Sequence, residues 1–194
     1  MKFVVESVSK CSGRIGILSN IERLPDRAYK TPFLLFLFPN LSREVLELTN
    51  FDLSNDFGVL LPVSSIEQME KPLKQFQKGI AEFIGLKECL TMITLKNSSE
   101  NSITGHHDRG SIPIFRRSGR LNVKPEKYMS IIEASKADAY TSLADNDTWA
   151  GCPNKRLLKS IDRSEDMFNE CMTIMNENSI NTPLIASVQG GFSE

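Results

Sequence analysis

The chain has 194 residues, 40% of them hydrophobic and 24% charged, with 23 Lys plus Arg against 24 Asp plus Glu and a net charge of −1. That is enough for one domain with a sizeable core. The balance excludes a broad basic surface for nucleic acid, because neutralising many phosphates takes clustered cations.

The N-terminal residues 1–6 lack the long apolar core and small-residue cleavage site of a signal peptide. The β-branched stretch from Lys2 to Val8, the turn residues Ser12 and Gly13, and the run from Arg14 to Leu18 predict a hairpin. Leu34 to Phe38 is a further strand. It belongs to an apolar run bounded by Pro32 and Pro39, far shorter than the ~20 residues of a membrane helix. Gly58 to Leu61 is another short strand, stopped by Pro62. Residues 1–63 thus read as a β-rich segment.

From residue 64 the pattern turns helical. Ser65 and Gln68 have capping-box spacing. Ile66, Met69, Leu73, Phe76, Ile80 and Phe83 keep helical periodicity, Pro72 marks a kink or restart, and Gly85 a stop. Leu90 to Leu95 reads as a strand, and residues 96–110 as a polar loop. Ile112 to Phe115 and Arg120 to Val123 predict a hairpin turning at Ser118 and Gly119. Pro125 opens a helix to about Ser135. Ala139 to Ala144 is a strand. A helix from about Lys155 to Asn176 follows, with Leu158, Ile161, Phe168, Met172 and Met175 as its apolar side. Pro183 to Val188 is a last strand.

Strands alternating with helices imply βαβ units, a parallel sheet and an α/β fold. Ligand chemistry in such folds gathers at the carboxyl ends of strands. A (β/α)₈ barrel takes about 250 residues, so residues 64–194 read as the first half of a barrel, and the chain as a fragment or short form.

Two loops stand at strand carboxyl ends. Asp145 in Asp145-Asn146-Asp147 either accepts from the N–H groups of a ligand or is ordinary turn chemistry. Gln189 offers a donor and an acceptor to a ligand, or serves loop closure with Gly190 and Gly191. Arg116, Arg117, Arg120 and Lys124 form a basic cluster that either touches a phosphate or is an exposed hairpin face. His106-His107-Asp108 reads as solvated loop, since no cysteine or spaced carboxylate accompanies it. Trp149 either anchors a partner or packs a loop. Asp162-Arg163-Ser164-Glu165-Asp166 reads as a solvated helix face. Cys11, Cys89, Cys152 and Cys171 are too far apart for metal-ligand spacing and read as reduced, partly buried thiols.

The segment from Gly119 to Glu194 resembles the tRNA-guanine transglycosylase family. The resemblance rests on Gly119-Arg120-Leu121-Asn122-Val123-Lys124-Pro125-Glu126, on Lys136-Ala137-Asp138-Ala139, on Asp145, on the helix stretch from Arg156 to Ser164, and on Ala186-Ser187-Val188-Gln189-Gly190-Gly191. By that resemblance Asp145, Gln189 and Gly190 correspond to the family's base pocket. Phe83-Ile84-Gly85-Leu86 and Lys159-Ser160-Ile161-Asp162-Arg163-Ser164 are most similar to the family's accessory subunits.

One departure carries weight. Catalytic members have Asp-Ser-Gly-Gly-Phe-Gln in the region of residues 91–115, and no Asp-Ser-Gly-Gly occurs in this chain. The family's nucleophilic aspartate and its Cys₃His zinc site correspond to positions beyond Glu194. Base exchange needs a carboxylate to attack the ribose and a second group to manage protons.

The resemblance therefore implies a non-catalytic subunit, without catalytic or metal-binding residues of its own in this stretch. It implies a heterodimer with the catalytic subunit of a queuine tRNA-ribosyltransferase, tRNA bound through the complex, and zinc only in the full-length family. It also implies a cytoplasmic location, peripheral on the mitochondrial outer membrane. The alternatives are a truncated product without independent function and an active ribosyltransferase.

Overall fold

A computed structural model describes residues 1–11, 13–37, 57–95, 108, 110–116 and 118–187. The fold below is that of these residues. Calls on Ser12, Phe38, residues 96–107, Arg117 and residues 188–194 lie outside them.

The chain opens with the expected hairpin. Strand β1 (Lys2–Val8) pairs antiparallel with β2 (Arg14–Ser19), from Lys2 opposite Ser19 to Val8 opposite Arg14, with a bulge between Val5 and Ser7. Ser9 closes the turn, its Oγ accepting from the Gly13 amide at 3.0 Å. Gly16 is required here. A Cβ would lie 2.4 Å from the Val4 carbonyl oxygen and under 3 Å from the Phe3 ring. Strand β3 (Tyr29–Lys30) adds to β2. Ile21, Leu24 and Tyr29 form a small core with Leu90.

Next come β4 (Leu34–Leu37) and β5 (Phe57–Pro62), then three short helices: α1 (Val63–Ile66), α2 (Glu70–Phe76) and α3 (Ile80–Phe83), with a 3₁₀ turn at Glu67–Met69 before α2. The expected capping box does not form. The helix starts directly off β5 with Pro62 as N-cap and no side-chain cap, which puts Ser65 inside the first turn. Pro72 sits in the first turn of α2, where its missing N–H costs nothing. Gln77 (φ 62°) ends α2, and Gly85 (φ 77°) follows α3 as the sequence predicts.

Strand β6 (Leu90–Thr94) follows, then the hairpin β7 (Ile112–Arg116) and β8 (Gly119–Val123), and α4 (Pro125–Ser135) with Pro125 at its start. Strand β9 (Ala139–Thr141), α5 (Asn154–Glu177) and β10 (Leu184–Ile185) complete the described chain. Both β9 and β10 pair over shorter lengths than the sequence predicts.

Five strands form one parallel sheet in the order β4, β5, β6, β9, β10. Each strand lies beside its predecessor and the order never reverses. The sheet crosses the expected division at 63/64, since β4 and β5 lie before it. Its core includes Val59, Leu61, Ile93, Tyr140 and Leu143 from the strands and their exits, with Tyr128, Ile131, Ile132 and Met167 from α4 and α5.

The face of α5 differs from expectation. The buried stripe is Leu157, Ser160, Ser164, Met167 and Cys171, one residue around from the stripe through Leu158 and Ile161. Those two are 62% and 37% exposed. Small buried serines allow close packing, and their hydroxyls stay satisfied. Ser160 Oγ donates to the Leu157 carbonyl at 2.7 Å, and Ser164 Oγ to the Ser160 carbonyl at 2.6 Å. A reading that counts only large apolar residues passes over such a face.

Candidate functional site

Parallel strands with helical crossovers bring their carboxyl ends to one rim. There, after β9, the chain runs through Ser142 to Asp147. Ser142 Oγ accepts from the Ser187 amide at 2.9 Å, joining the exits of β9 and β10. The Asp145 amide donates to Ser164 Oγ at 2.9 Å, which fixes this loop to α5.

The Asp145 side chain is 1% exposed. Buried carboxylates need compensation, and this one has it. Arg156 donates through Nη2 to Oδ1 at 2.7 Å and through Nη1 to Oδ2 at 3.0 Å, a two-pronged pair. Arg163 Nη1 donates to Oδ2 at 3.2 Å, and the Asp147 amide to Oδ1 at 3.1 Å. Four donors thus meet the roughly four acceptor positions of an ionised carboxylate. Arg156 also lies 3.5 Å from Asp147 Oδ2. The hydrogen-bonded Asp145 carboxylate holds the Arg156 guanidinium above its ordinary pKa, against the opposing effect of burial.

As arranged, the Asp145 carboxylate is engaged on both oxygens by groups of its own chain. The cluster is a charge-balanced buckle between the β9 exit and α5. The helix-face reading of residues 162–166 needs correction at Arg163, which reaches Asp145, and at Ser164, which is buried. Sequence reasoning missed the clamp. Its signal was the spacing Arg156, Ser160, Arg163, Ser164, which places all four on one side of a helix.

The opposite, amino-terminal end of the sheet carries a second buried carboxylate. Asp138 accepts from the Thr91 amide at 2.7 Å and Thr91 Oγ1 at 2.9 Å. It also accepts from Arg23 Nε at 3.1 Å and Arg23 Nη2 at 2.6 Å. Arg23 further donates to the Lys87 and Cys89 carbonyls. This latch ties the antiparallel sheet to β6 and β9.

The basic cluster is divided. Arg116 is taken by Glu67, Nη1 to Oε2 at 2.6 Å, and Glu67 also meets Lys127 at 3.3 Å. Arg120 and Lys124 are exposed, and Arg117 lies outside the described residues. Behind them Glu70 gathers Lys127, Lys74 and Ser130. Burial pushes its carboxyl up, but the three hydrogen bonds outweigh burial and draw it down to about 2.

Gln189, Gly190, Gly191, His106 and His107 lie outside the described residues. Asp108 is exposed and accepts from Asn122 Nδ2 at 2.9 Å. Trp149 is 49% exposed on the loop beyond Asp147. All four cysteines are free, three of them buried, and burial pushes Cys171 up to about 12. Among the described residues no three His, Cys, Asp or Glu side chains converge on a metal position, and no helix is long and apolar enough to cross a membrane.

The family described as Queuine tRNA-ribosyltransferase matches residues 9–194. A protein of Anopheles gambiae named queuine tRNA-ribosyltransferase accessory subunit 2 is 35% identical over 201 residues, spanning 100% of this chain and 46% of its own length. Proteins of the same name from Aedes aegypti and Culex quinquefasciatus are 35% and 34% identical, again over 100% of this chain and 47% of their own lengths. The chain spans about half the length of these curated relatives.

Proposed function

The chain belongs to the queuine tRNA-ribosyltransferase family, and we propose that it forms part of a non-catalytic subunit. That subunit pairs with a catalytic one to exchange guanine for queuine at the tRNA wobble position. The observation that carries the reading is Asp145. Its position resembles that of the family's base-contacting aspartate, yet its carboxylate is filled by Arg156 and Arg163. The absence of an Asp-Ser-Gly-Gly motif points the same way, as do the names of the relatives.

Part of a (β/α)₈ barrel is the architecture this reading needs. Five parallel strands in unbroken sequence order support it, because a doubly wound sheet would reverse its order. We take β4 to β10 as barrel strands interrupted by the hairpin β7–β8, with the antiparallel sheet as an N-terminal appendage held by Arg23 and Asp138. By the resemblance, Gln189 and Gly190 would serve the base pocket together with Asp145. Exposed Arg120 and Lys124, with Arg117, would meet tRNA phosphate in the complex. By the resemblance, contact with a mitochondrial surface would be peripheral.

Co-expression of the full-length protein with a catalytic subunit tests the pairing. A stoichiometric complex on size exclusion is expected. Two separate peaks at micromolar concentration would refute it.

A further inference from the structure

Among the described residues, β1 is an outer strand of the antiparallel sheet, whose order is β1, β2, β3. All seven of its residues are exposed. Four of them are apolar: Phe3 is 50% exposed, Val4 43%, Val5 42% and Val8 64%.

The backbone of this edge is open too. Gly16 on β2 turns both its polar groups to Thr31, beside β3. Its carbonyl accepts from the Thr31 amide at 2.8 Å, and its amide donates to Thr31 Oγ1 at 2.9 Å. Residues opposite each other in an antiparallel pair turn their polar groups either both inward or both away. Val5 stands opposite Gly16, so its amide and carbonyl turn away from β2. Those of Phe3, two residues back along the strand, do the same.

The side-chain order along the edge is self-complementary. Set antiparallel beside itself about a two-fold axis through Val4, β1 places Lys2 opposite Glu6, Phe3 opposite Val5, and Val4 opposite Val4. Phe3 and Val5 then form the hydrogen-bonded pairs. Aromatic with β-branched, and cation with anion, are favourable cross-strand combinations. Moving the axis to Phe3 sets Lys2 against Val4, and moving it to Val5 sets Glu6 against Val4, so both neighbouring registers strand a charge. Bulges and charges ordinarily guard an open strand. Here the bulge follows Val5, at the end of the pairing stretch. The two charges, opposite in sign and equidistant from Val4, repel other edges and admit a second copy.

We propose that β1 is a docking edge for a second copy of this chain, the two strands pairing antiparallel about a two-fold axis at Val4. The interface is isologous and joins the two antiparallel sheets into one. The sheet is latched at the amino-terminal end of the parallel sheet by Arg23 and Asp138, so the pairing leaves the carboxyl-end rim free. It does not depend on the activity proposed above. The contact is short and belongs with weak, concentration-dependent interfaces.

Two measurements on the full-length protein test this. In a Cys11→Ser background, Val4→Cys sets two thiols face to face on the axis, with Cα atoms about 4.5 Å apart and within disulfide reach. Oxidised glutathione should link these chains at least about tenfold faster than those of Arg14→Cys, an exposed control on β2, because pairing raises the effective thiol concentration. By sedimentation equilibrium, Lys2→Glu and Glu6→Lys should each weaken self-association by about tenfold, since symmetry doubles each like-charge contact. An equal mixture of the two variants should recover wild-type association, because each chain then offers the charge the other lacks. Melting curves establish that these exposed substitutions leave the fold intact.

Val4→Cys that links no faster than Arg14→Cys overturns the proposal. Self-association that ignores both charge variants overturns it as well, as does a mixture no tighter than either variant alone.

Discussion

Arg156 and Asp145 meet fork to carboxylate, at 2.7 and 3.0 Å, across the gap between the β9 exit and α5. Breaking a buried pair from one side leaves a charge short of compensation. Arg163 still contacts Asp145, so Arg156→Ala should cost less than a full orphaning, about 2–3 kcal/mol. For a chain of this size that is a fall in Tm of roughly 4–12 °C. Asp145→Asn in the Arg156→Ala background should cost less than in wild type. Strict additivity in this double-mutant cycle would show that the pair is not coupled.

The Arg23–Asp138 latch predicts a local effect at the other end of the sheet. Asp138→Ala removes the acceptor of the buried Thr91 amide and hydroxyl. A loss of about 2–4 kcal/mol is expected from unpaired buried donors and the stranded Arg23. Hydrogen exchange at Thr91 should accelerate more than at Ile93, which lies deeper in β6. Equal acceleration at both would mean global loosening.

Glu70 gives a pH dependence with a definite sign. Its carboxyl is lowered from 4.5 to about 2 in the folded chain. Its contribution is therefore full above the unfolded value and lost as pH falls through the folded one. Lys127 moves the other way, raised chiefly by its hydrogen bond to Glu70, so its share fades only in strong alkali. The lysine partners are 38% and 48% exposed, and solvent screening cuts the worth of the network to about 1–2 kcal/mol. The urea midpoints of wild type and Glu70→Gln should differ steadily above about pH 5 and converge toward about pH 2. A constant gap down to the acid limit would contradict this.

Thiol chemistry separates the four cysteines. Cys11 is exposed, whereas Cys89, Cys152 and Cys171 are buried. Burial raises Cys89 and takes Cys171 to about 12. A thiolate reagent at neutral pH should label Cys11 in the native protein and the others only after unfolding. Cys11→Ser should abolish native labelling. Fast labelling of Cys171 would contradict the packing of α5.

Much of the fold is legible in the sequence because local rules and tertiary packing agree there. Pro125 starts α4, the Ser118-Gly119 turn joins β7 to β8, and the β-branched run before Gly13 makes β1. Disagreement arises where tertiary contacts override local pattern. Ser65 never caps, because the chain turns helical straight from Pro62. The apolar face of α5 is misjudged by one residue, because Ser160 and Ser164 are buried and satisfied within the helix. The rim aspartate was visible as turn chemistry after a strand. Its arginine partners were not, because Arg156 and Arg163 look like ordinary helix charges until the loop is folded against them.

The measurement that bears most directly on the whole account is queuine incorporation into tRNA by purified full-length protein, assayed alone and with a catalytic subunit. Turnover only in the presence of the catalytic subunit, and faster than that subunit achieves by itself, is the predicted result. Sustained incorporation by this protein alone, lost on Asp145→Asn, would contradict it.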